Sequence, residues 1–309
     1  MEVLVSGSLA YDRIMDFPGR FSDHIMPDKI HMINVSFTVN GLKENFGGTA
    51  GNIAYCLSLL GEKPRIVATI GHDYHRYFQW FEEHGLGTDD IRIVEEEATA
   101  SAYITTDMAD NQITGFNPGA MKQQAGFDFA GIDPKEAIGI VAPGNLQDMA
   151  EFTATHQKLG IYSIFDPGQS LPAWPGEDLA ACIASSNMLI SNDYELALIR
   201  DRTGKSTEEL VEMAGTIVTT KGEQGTEILT RVGAIPVPAV PTSDVVDPTG
   251  AGDAFRGGLI KGLVDGTSLE RAVMMGTVCS HYAIRKVGTQ EHSFTPEEFE
   301  ATLVSNFGA

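Results

Sequence analysis

Cysteine is scarce in this chain, and the few cysteines are widely separated. They are Cys56, Cys182 and Cys279, an odd number that leaves at least one unpaired within the molecule. Three cysteines that are far apart and odd in number argue against a disulfide framework or a zinc site. All three lie in apolar, helix-like surroundings, which predicts buried thiols in a reducing cytoplasm.

Long hydrophobic runs are also missing. No apolar stretch approaches the ~20 residues that a membrane-spanning helix needs. The first residues, Met1 to Val5, enter a strand pattern directly, with no basic region before it, so no secretory signal is predicted. We therefore expect a cytoplasmic protein without a membrane partner.

Positive charge is in short supply. The chain has 21 lysines and arginines against 42 aspartates and glutamates, which gives a net charge of −21. Nucleic-acid-binding surfaces have the opposite balance, which argues against a nucleic acid as partner. An anionic small molecule would be repelled by the overall field, so local features would have to hold it.

The 309 residues alternate between strand-like and helix-like segments. Segments that begin with a strand pattern cover 3–10, 65–71, 138–144, 161–169, 188–192 and 217–225. Amphipathic helix patterns follow most of them. This alternation predicts an α/β domain with a mostly parallel sheet and helices on both faces.

Two regions interrupt this rhythm. Residues 33–39 alternate with a period of two, as a half-exposed strand does, and 102–106 and 112–116 also have strand character. We interpret these segments as a small β-sheet lid over the mouth of the main domain, formed by about 13–46 and 97–120. Residues 1–309 then form one domain with this appendage.

The densest functional signal is the run Asp247-Pro248-Thr249-Gly250-Ala251-Gly252-Asp253. Thr249 and Gly250 are suitable N-cap types, and the apolar run that follows predicts a helix from about Ala251. A glycine-rich helix N-terminus presents free backbone N–H groups and a positive dipole end to an anion. Asp253 beside that anion fits a base that takes a proton from a hydroxyl during phosphoryl transfer. An ordinary glycine-rich helix cap is the structural alternative.

Three further segments agree with this interpretation. They are Asn45 to Asn52 with its diglycine, Asn192 to Glu195, and Thr220 to Gly225. Their order and spacing, together with 247–253, resemble the ribokinase-like (PfkB) carbohydrate and nucleoside kinase family. The family motif has the form Asp-Thr-x-Gly-Ala-Gly-Asp. Here the threonine comes one place later and Pro248 takes its usual position, a variant similar to the adenosine kinase branch.

The resemblance to bacterial adenosine kinases extends along the chain. It is carried by Ser6-Gly7-Ser8-x-Ala10-x-Asp12, Phe17 to Phe21, Ser36-Phe37, Phe116 to Met121 and Gly288 to Glu291. It implies a ribokinase-like three-layer α/β domain with a mostly parallel central sheet and a small lid. It also implies ATP-dependent phosphorylation of adenosine at its 5′-hydroxyl to give AMP, with ATP, Mg²⁺ and often K⁺ as cofactors.

The resemblance also implies roles for individual residues. Asp253 would be the general base, and the amides of Gly250, Ala251 and Gly252 would hold the transferring phosphoryl group. Nucleoside contacts would come from Ser8, Asp12, Ser36, Gly48, Asn52, Phe116 and Gln169. The ATP site would include Asn192, Thr220, Gly222 and Gly225. Glu195 would reach Mg²⁺ through water, while Asp247 and Thr249, with Ala283 and Gly288 as weaker matches, would belong to a K⁺ site.

Several of these residues also fit plain structural roles. Ser8 and Ser36 fit ordinary strand positions, Phe116 a core position and Gln169 a turn. Asn192 and Glu195 have the spacing of a helix capping box.

Other functions remain open from the sequence. A ribose or fructose kinase of the same family is the first alternative, and a non-catalytic nucleoside sensor is less favoured. A dinucleotide-dependent oxidoreductase is disfavoured because no Gly-x-Gly-x-x-Gly follows the first strand. Open edges of the lid, with the dimers common in this family, predict a homodimer formed through the lid.

Overall fold

The computed structural model describes residues 1–109 and 111–308, without the side chains of residues 27, 29 and 30. Within these ranges the strands are β1 (Glu2–Ser6), β2 (Ala10–Asp16), β3 (Asn40–Gly47), β4 (Arg65–Gly71), β5 (Ile91–Val94), β6 (Ala100–Thr106), β7 (Gln112–Asn117), β8 (Ala137–Val141), β9 (Tyr162–Phe165), β10 (Met188–Asn192), β11 (Thr216–Thr220), β12 (Thr226–Thr230) and β13 (Gly233–Val237). The α-helices are α1 (Thr49–Leu59), α2 (His75–Glu83), α3 (Leu146–Leu159), α4 (Gly176–Ala184), α5 (Asp193–Thr203), α6 (Thr207–Ala214), α7 (Ala251–Val264), α8 (Leu269–Ala283) and α9 (Pro296–Phe307). None of the described helices has both the length and the apolar character that crossing a membrane requires.

The main sheet has the strand order β13-β12-β11-β10-β9-β8-β1-β4-β5. Pairing is parallel from β11 to β5, and β12 and β13 extend one edge with antiparallel pairs. Side chains alternate between its faces: Ile190 packs in the cluster that contains α1 and α7 residues, and Leu189 in the cluster that contains α3 and α4 residues. Both faces are therefore covered by helices, as predicted for a mostly parallel sheet.

A second sheet, which we call the lid, has the order β3-β2-β6-β7. The predicted strand over 3–10 was wrong in one respect, because β1 ends at Ser6 and a separate lid strand begins at Ala10. Asp12 therefore lies inside lid strand β2, opposite Asn45 of β3, rather than just past the first strand of the main sheet. The predicted fold class, an α/β domain with a separate small lid sheet, is confirmed.

The strand predicted over 33–39 was also wrong. This segment is irregular, and the lid strand in this region is β3, which begins at Asn40. The ring of Phe37 lies 4.7 Å from that of Phe17 and 5.1 Å from that of Phe21, centroid to centroid. The alternating apolar residues thus reflect a local aromatic cluster, which buries Phe37 in part without pairing its backbone to a strand.

Candidate active site

The carboxyl ends of the parallel strands place several polar residues at one edge of the sheet. Asn192 ends β10, Thr220 ends β11, and Asp166 follows β9 directly. Open parallel sheets place their ligands at this edge. A cavity of about 260 Å³ lies there, lined by Asp166, Gly168, Gln169, Asn192, Glu195, Thr220, Gly250, Gly252, Asp253 and Arg256.

Helix α7 begins at Ala251, as predicted, and its N-terminus is open. Gly250 is the N-cap with φ of +79°, a left-handed conformation that favours glycine. The N–H of Ala251 donates to Pro248 O at 3.2 Å, whereas those of Gly250, Gly252 and Asp253 meet no acceptor among the described residues. Two of the three predicted amides, those of Gly250 and Gly252, are therefore available to an anion.

Asp253 is held in this first turn of α7. The Nδ2 of Asn52 donates to its Oδ2 at 2.7 Å. Loss of solvation raises the pKa of Asp253 to about 6, and Asp166 and Glu195 act in the same direction, while Arg256 and the bond from Asn52 oppose the shift. The carboxylate is thus ionised at neutral pH and only weakly so below pH 6, which suits a proton acceptor.

Hydrogen bonds to the side-chain oxygen of Asn52 hold its amide group in place. Its Oδ1 lies 2.8 Å from Thr289 Oγ1 and accepts a hydrogen bond from Gln290 Nε2 at 2.9 Å. Gln290 is buried, and its Oε1 accepts from Trp80 Nε1 at 2.8 Å while its Nε2 also lies 2.8 Å from the hydroxyl of Tyr77. With its oxygen held in this way, Asn52 presents its N–H group to Asp253.

The diglycine brings the lid against the start of α1. Gly48 is the N-cap of α1 with φ of +89°, and a Cβ there would stand 2.6 Å from Ser8 O. A Cβ on Gly47 would stand 2.7 Å from Asp12 Oδ2. Loss of solvation and the charge of Asp247 raise the pKa of Asp12 to about 6. Asp12, Gly48 and Asn52, predicted together, thus lie in one region beside the cavity.

Asn192 and Glu195 form a capping box at the start of α5. Glu195 N donates to Asn192 Oδ1 at 2.7 Å, and Asn192 N donates to Glu195 Oε2 at 2.8 Å. The predicted capping box is therefore confirmed, and both residues also line the cavity, where their functional role stays a prediction. No group of three His, Cys, Asp or Glu side chains that could hold a metal ion occurs in the described ranges.

Asp247 closes the turn that precedes α7. Its Oδ1 accepts from Thr249 N at 2.9 Å, and its Oδ2 accepts from Gly288 N at 3.1 Å. Loss of solvation opposes its ionisation, but these hydrogen bonds outweigh that effect and hold its pKa below the ordinary value. The carboxylate therefore joins the loop before α7 to the loop after α8. Ala283, the weaker match beside Gly288, is buried at the last residue of α8.

A larger cavity of about 600 Å³ adjoins the first one, and Thr220 and Gly252 line both. Gly222 and Gly225 line it as predicted. Its remaining wall is largely apolar and was not predicted from the sequence. The lining residues outside the predicted motifs are Thr226, Ala239, Val240, Pro241, Thr242, Val245, Phe255, Thr277, Ser280, His281 and Ile284. Most of them lie on ordinary apolar stretches, where no local pattern marks a binding wall.

The remaining predicted residues have mixed positions. Ser8 is buried, and its Oγ accepts from Thr49 N at 3.0 Å at the start of α1, which is a structural contact. Ser36 is exposed in the loop before β3, and Phe116 is 53% exposed on lid strand β7. The contacts within the described residues do not join either of them to the cavity. Gln169 lies in the cavity wall.

Arg256 and Asp166 form a buried ion pair that was not predicted from the sequence. The guanidinium donates to both carboxylate oxygens, with Nη2 2.9 Å from Oδ1. A charged residue within the apolar run Ala254 to Ile260, one turn after Asp253, was the available signal.

The family model for pfkB carbohydrate kinases matches residues 10–297, which is most of the chain. The chain belongs to this family. A nucleoside kinase from Burkholderia thailandensis, solved in complex with inosine, is 38% identical, with 99% of this chain and 98% of that chain covered and a TM-score of 0.87. The same kinase has been solved with ADP-inosine, with 39% identity, 99% and 96% coverage and a TM-score of 0.84.

Archaeal relatives show the same likeness. A nucleoside kinase from Thermoplasma acidophilum is 31% identical over 270 residues, which cover 86% of each chain. The nucleoside kinase from Methanocaldococcus jannaschii, an archaeal member of the ribokinase family, is 26% identical, with 99% of each chain covered and a TM-score of 0.88. The ribokinase-like architecture predicted from the motifs is therefore confirmed.

Proposed function

We propose that this protein is an ATP-dependent nucleoside kinase that phosphorylates the 5′-hydroxyl of adenosine to give AMP. The observation that carries the proposal is the position of Asp253. Its carboxylate lies in the first turn of α7, beside the unpaired amides of Gly250 and Gly252, where two cavities share a wall. A base, an anion-binding helix end and two adjoining ligand cavities are the parts that phosphoryl transfer needs.

The chemistry follows from this arrangement. The oxygen of the nucleoside hydroxyl bonds to the γ-phosphorus of ATP while Asp253 accepts the proton of that hydroxyl, and ADP leaves. The amides of Gly250 and Gly252 and the dipole of α7 stabilise the charge on the transferring group, because they are fixed before the reaction begins. Asn52 keeps the carboxylate of Asp253 directed toward the substrate.

The larger cavity suits ATP. Its apolar wall fits the adenine ring, and the loop with Gly222 and Gly225 lets backbone approach the nucleotide closely. At the smaller cavity Asn192, Thr220 and Glu195 would face the phosphates. Glu195 is a suitable partner for Mg²⁺ held mainly by phosphate oxygens and water, and the ion would offset phosphate charge. Asp247 and Thr249 remain our candidates for K⁺ binding.

The nucleoside specificity is supported by the relatives. The inosine complex of the Burkholderia kinase covers nearly the whole of this chain at 38% identity. The exposed ring of Phe116 on the lid is available to stack on a base, which a bare sugar would not use. We propose Asp12, Gly48 and Asn52 as partners of the ribose hydroxyls, and Ser8, Ser36 and Gln169 as further nucleoside contacts.

We further propose that the lid, at about 13–46 and 97–120, closes over the nucleoside and excludes water. Its edge strands β3 and β7 leave backbone groups open for a second copy, so we propose a homodimer through the lid. Light scattering at micromolar concentration tests the dimer, and a monomer mass would contradict it.

The test of function is a substrate panel with ATP and Mg²⁺. Adenosine, inosine, guanosine, ribose and fructose are compared at equal concentration, with 5′-deoxyadenosine as the matched acceptor that lacks the reacting hydroxyl. We expect ADP release with adenosine and none above background with 5′-deoxyadenosine. Turnover of ribose or fructose alone would instead identify a sugar kinase, and binding without turnover would identify a sensor.

A further inference from the structure

Arg256 is the positive side chain in a cavity wall that otherwise has three carboxylates. Among the described residues that line the smaller cavity, Asp166, Glu195 and Asp253 carry carboxylates and Arg256 alone is basic. Arg256 is 6% exposed. In a chain with a net charge of −21, a fixed cation at this place is unusual and opposes the overall field.

The geometry of the guanidinium leaves one nitrogen free. Nε and Nη2 are both taken by the Asp166 carboxylate. Nη1 meets no hydrogen-bond acceptor among the described residues, and a Cβ built on Gly252 would stand 2.8 Å from it. Nη1 therefore lies against the first turn of α7. Asp253 and Arg256 are three residues apart, so they share one face of this helix.

We propose that Nη1 of Arg256 binds the transferring phosphoryl group together with the amides of Gly250 and Gly252, and that Arg256 is a further catalytic residue. The inference rests on the proposed kinase function. In the reaction the bond between the γ-phosphorus and the β–γ bridging oxygen breaks, and a bond to the substrate oxygen forms. The hydroxyl proton goes to Asp253, ADP leaves, and Arg256 exchanges no proton.

Guanidinium chemistry suits this role. Arginine is always charged and presents planar N–H donors that match phosphate oxygens. Asp166 holds Nε and Nη2 in place, so Nη1 needs no reorganisation when charge develops on the phosphoryl group. The competing explanation is that the pair with Asp166 serves folding alone, as buried ion pairs do in many cores.

Two variants separate these explanations. Asp166→Asn keeps the charge of Arg256 and an acceptor for it. Asp166→Asn combined with Arg256→Gln removes both charges and keeps similar shapes, so no unpaired buried charge threatens folding. Relative to Asp166→Asn, we expect the double variant to lose kcat by ~10²-fold or more. The KM for the nucleoside should stay within about threefold, because the contact is to phosphate and is made mainly in the transition state.

A binding measurement reads the same contact without turnover. The ratio of the Kd of ADP to that of β,γ-imido-ATP, measured by calorimetry, reports how strongly the γ-phosphate is held. Relative to Asp166→Asn, we expect the double variant to lose ~10-fold or more of this ratio. A loss of kcat with an unchanged ratio would place the contact in the transition state only and would also support the proposal.

The proposal is overturned if the double variant matches Asp166→Asn in both kcat and the nucleotide ratio. Failure of the kinase function itself looks different. In that case the wild-type protein phosphorylates no acceptor of the panel, and the nucleotide ratio alone decides whether Arg256 holds the γ-phosphate.

Discussion

Replacing Asp253 by asparagine should abolish turnover and at the same time stabilise the protein. The pKa of Asp253 is about 6 instead of the ordinary 3.8. At about 1.36 kcal/mol per unit, keeping the folded-state carboxylate ionised costs up to about 3 kcal/mol. Partial exposure of the side chain reduces this cost, so we expect a gain of about 1–3 kcal/mol in the variant. The asparagine oxygen still accepts the hydrogen bond from Asn52.

The sign of the effect with pH follows from the direction of the shift. Above pH 6 Asp253 is ionised in both the folded and the unfolded chain, so the full cost is present. It declines between pH 6 and about 4 and disappears below, because the carboxyl is then protonated in both states. Urea unfolding of the wild type and Asp253→Asn at pH 8 and pH 4 should therefore show a stability gain at pH 8 only.

Turnover completes this prediction. Loss of the general base should reduce kcat by ~10²–10⁴-fold while adenosine still binds. If the two proteins have the same free energy of unfolding at pH 8, the pKa of Asp253 is not raised in the folded protein. Retained turnover would refute its role as base, whatever the stability shows.

Three further predictions follow from the site. The kcat/KM for adenosine should fall at least tenfold per pH unit below pH 6. The reason is that Asp253 and Asp12 both have pKa values of about 6 and both are needed in the ionised form. A kcat/KM that stays constant from pH 7 to pH 5 would contradict this. Asp12→Asn should raise the KM for adenosine ~10-fold or more with a smaller change in kcat, since a charged hydrogen bond to a ribose hydroxyl is lost. An unchanged KM in steady-state kinetics would show that Asp12 does not contact the nucleoside. Gly250→Ala should destabilise the protein by about 1–3 kcal/mol, because residue 250 has φ of +79° and an alanine Cβ would stand 2.9 Å from the Thr289 side chain. A thermal unfolding midpoint equal to that of the wild type would contradict this prediction.

Much of the framework was predictable because it rests on local chemistry. The start of α7 followed from Gly250 and the apolar run after it, and β4 matched its predicted bounds. Asn192 and Thr220 were named from the family resemblance, and the carboxyl ends of parallel strands bring both to one edge of the sheet. Such residues can be named from sequence because they lie in short local motifs.

Other features depend on contacts between segments far apart in the chain. Arg256 meets Asp166 across 90 residues, and Gln290 meets Asn52 across 238. Neither partnership leaves a spacing that sequence alone can reveal. The segment with Phe37 was predicted wrongly for a different reason. Its alternating apolar residues indicated a strand, but an aromatic cluster produces the same alternation of burial there.

The most direct test of the central proposal is phosphoryl transfer itself. The product of ATP and adenosine is collected with the purified protein and its phosphate is located by ³¹P–¹H correlation. The proposed function predicts AMP with the phosphate on the 5′-oxygen and one ADP for each AMP formed. ADP release that is the same with adenosine, with 5′-deoxyadenosine and without an acceptor would contradict it.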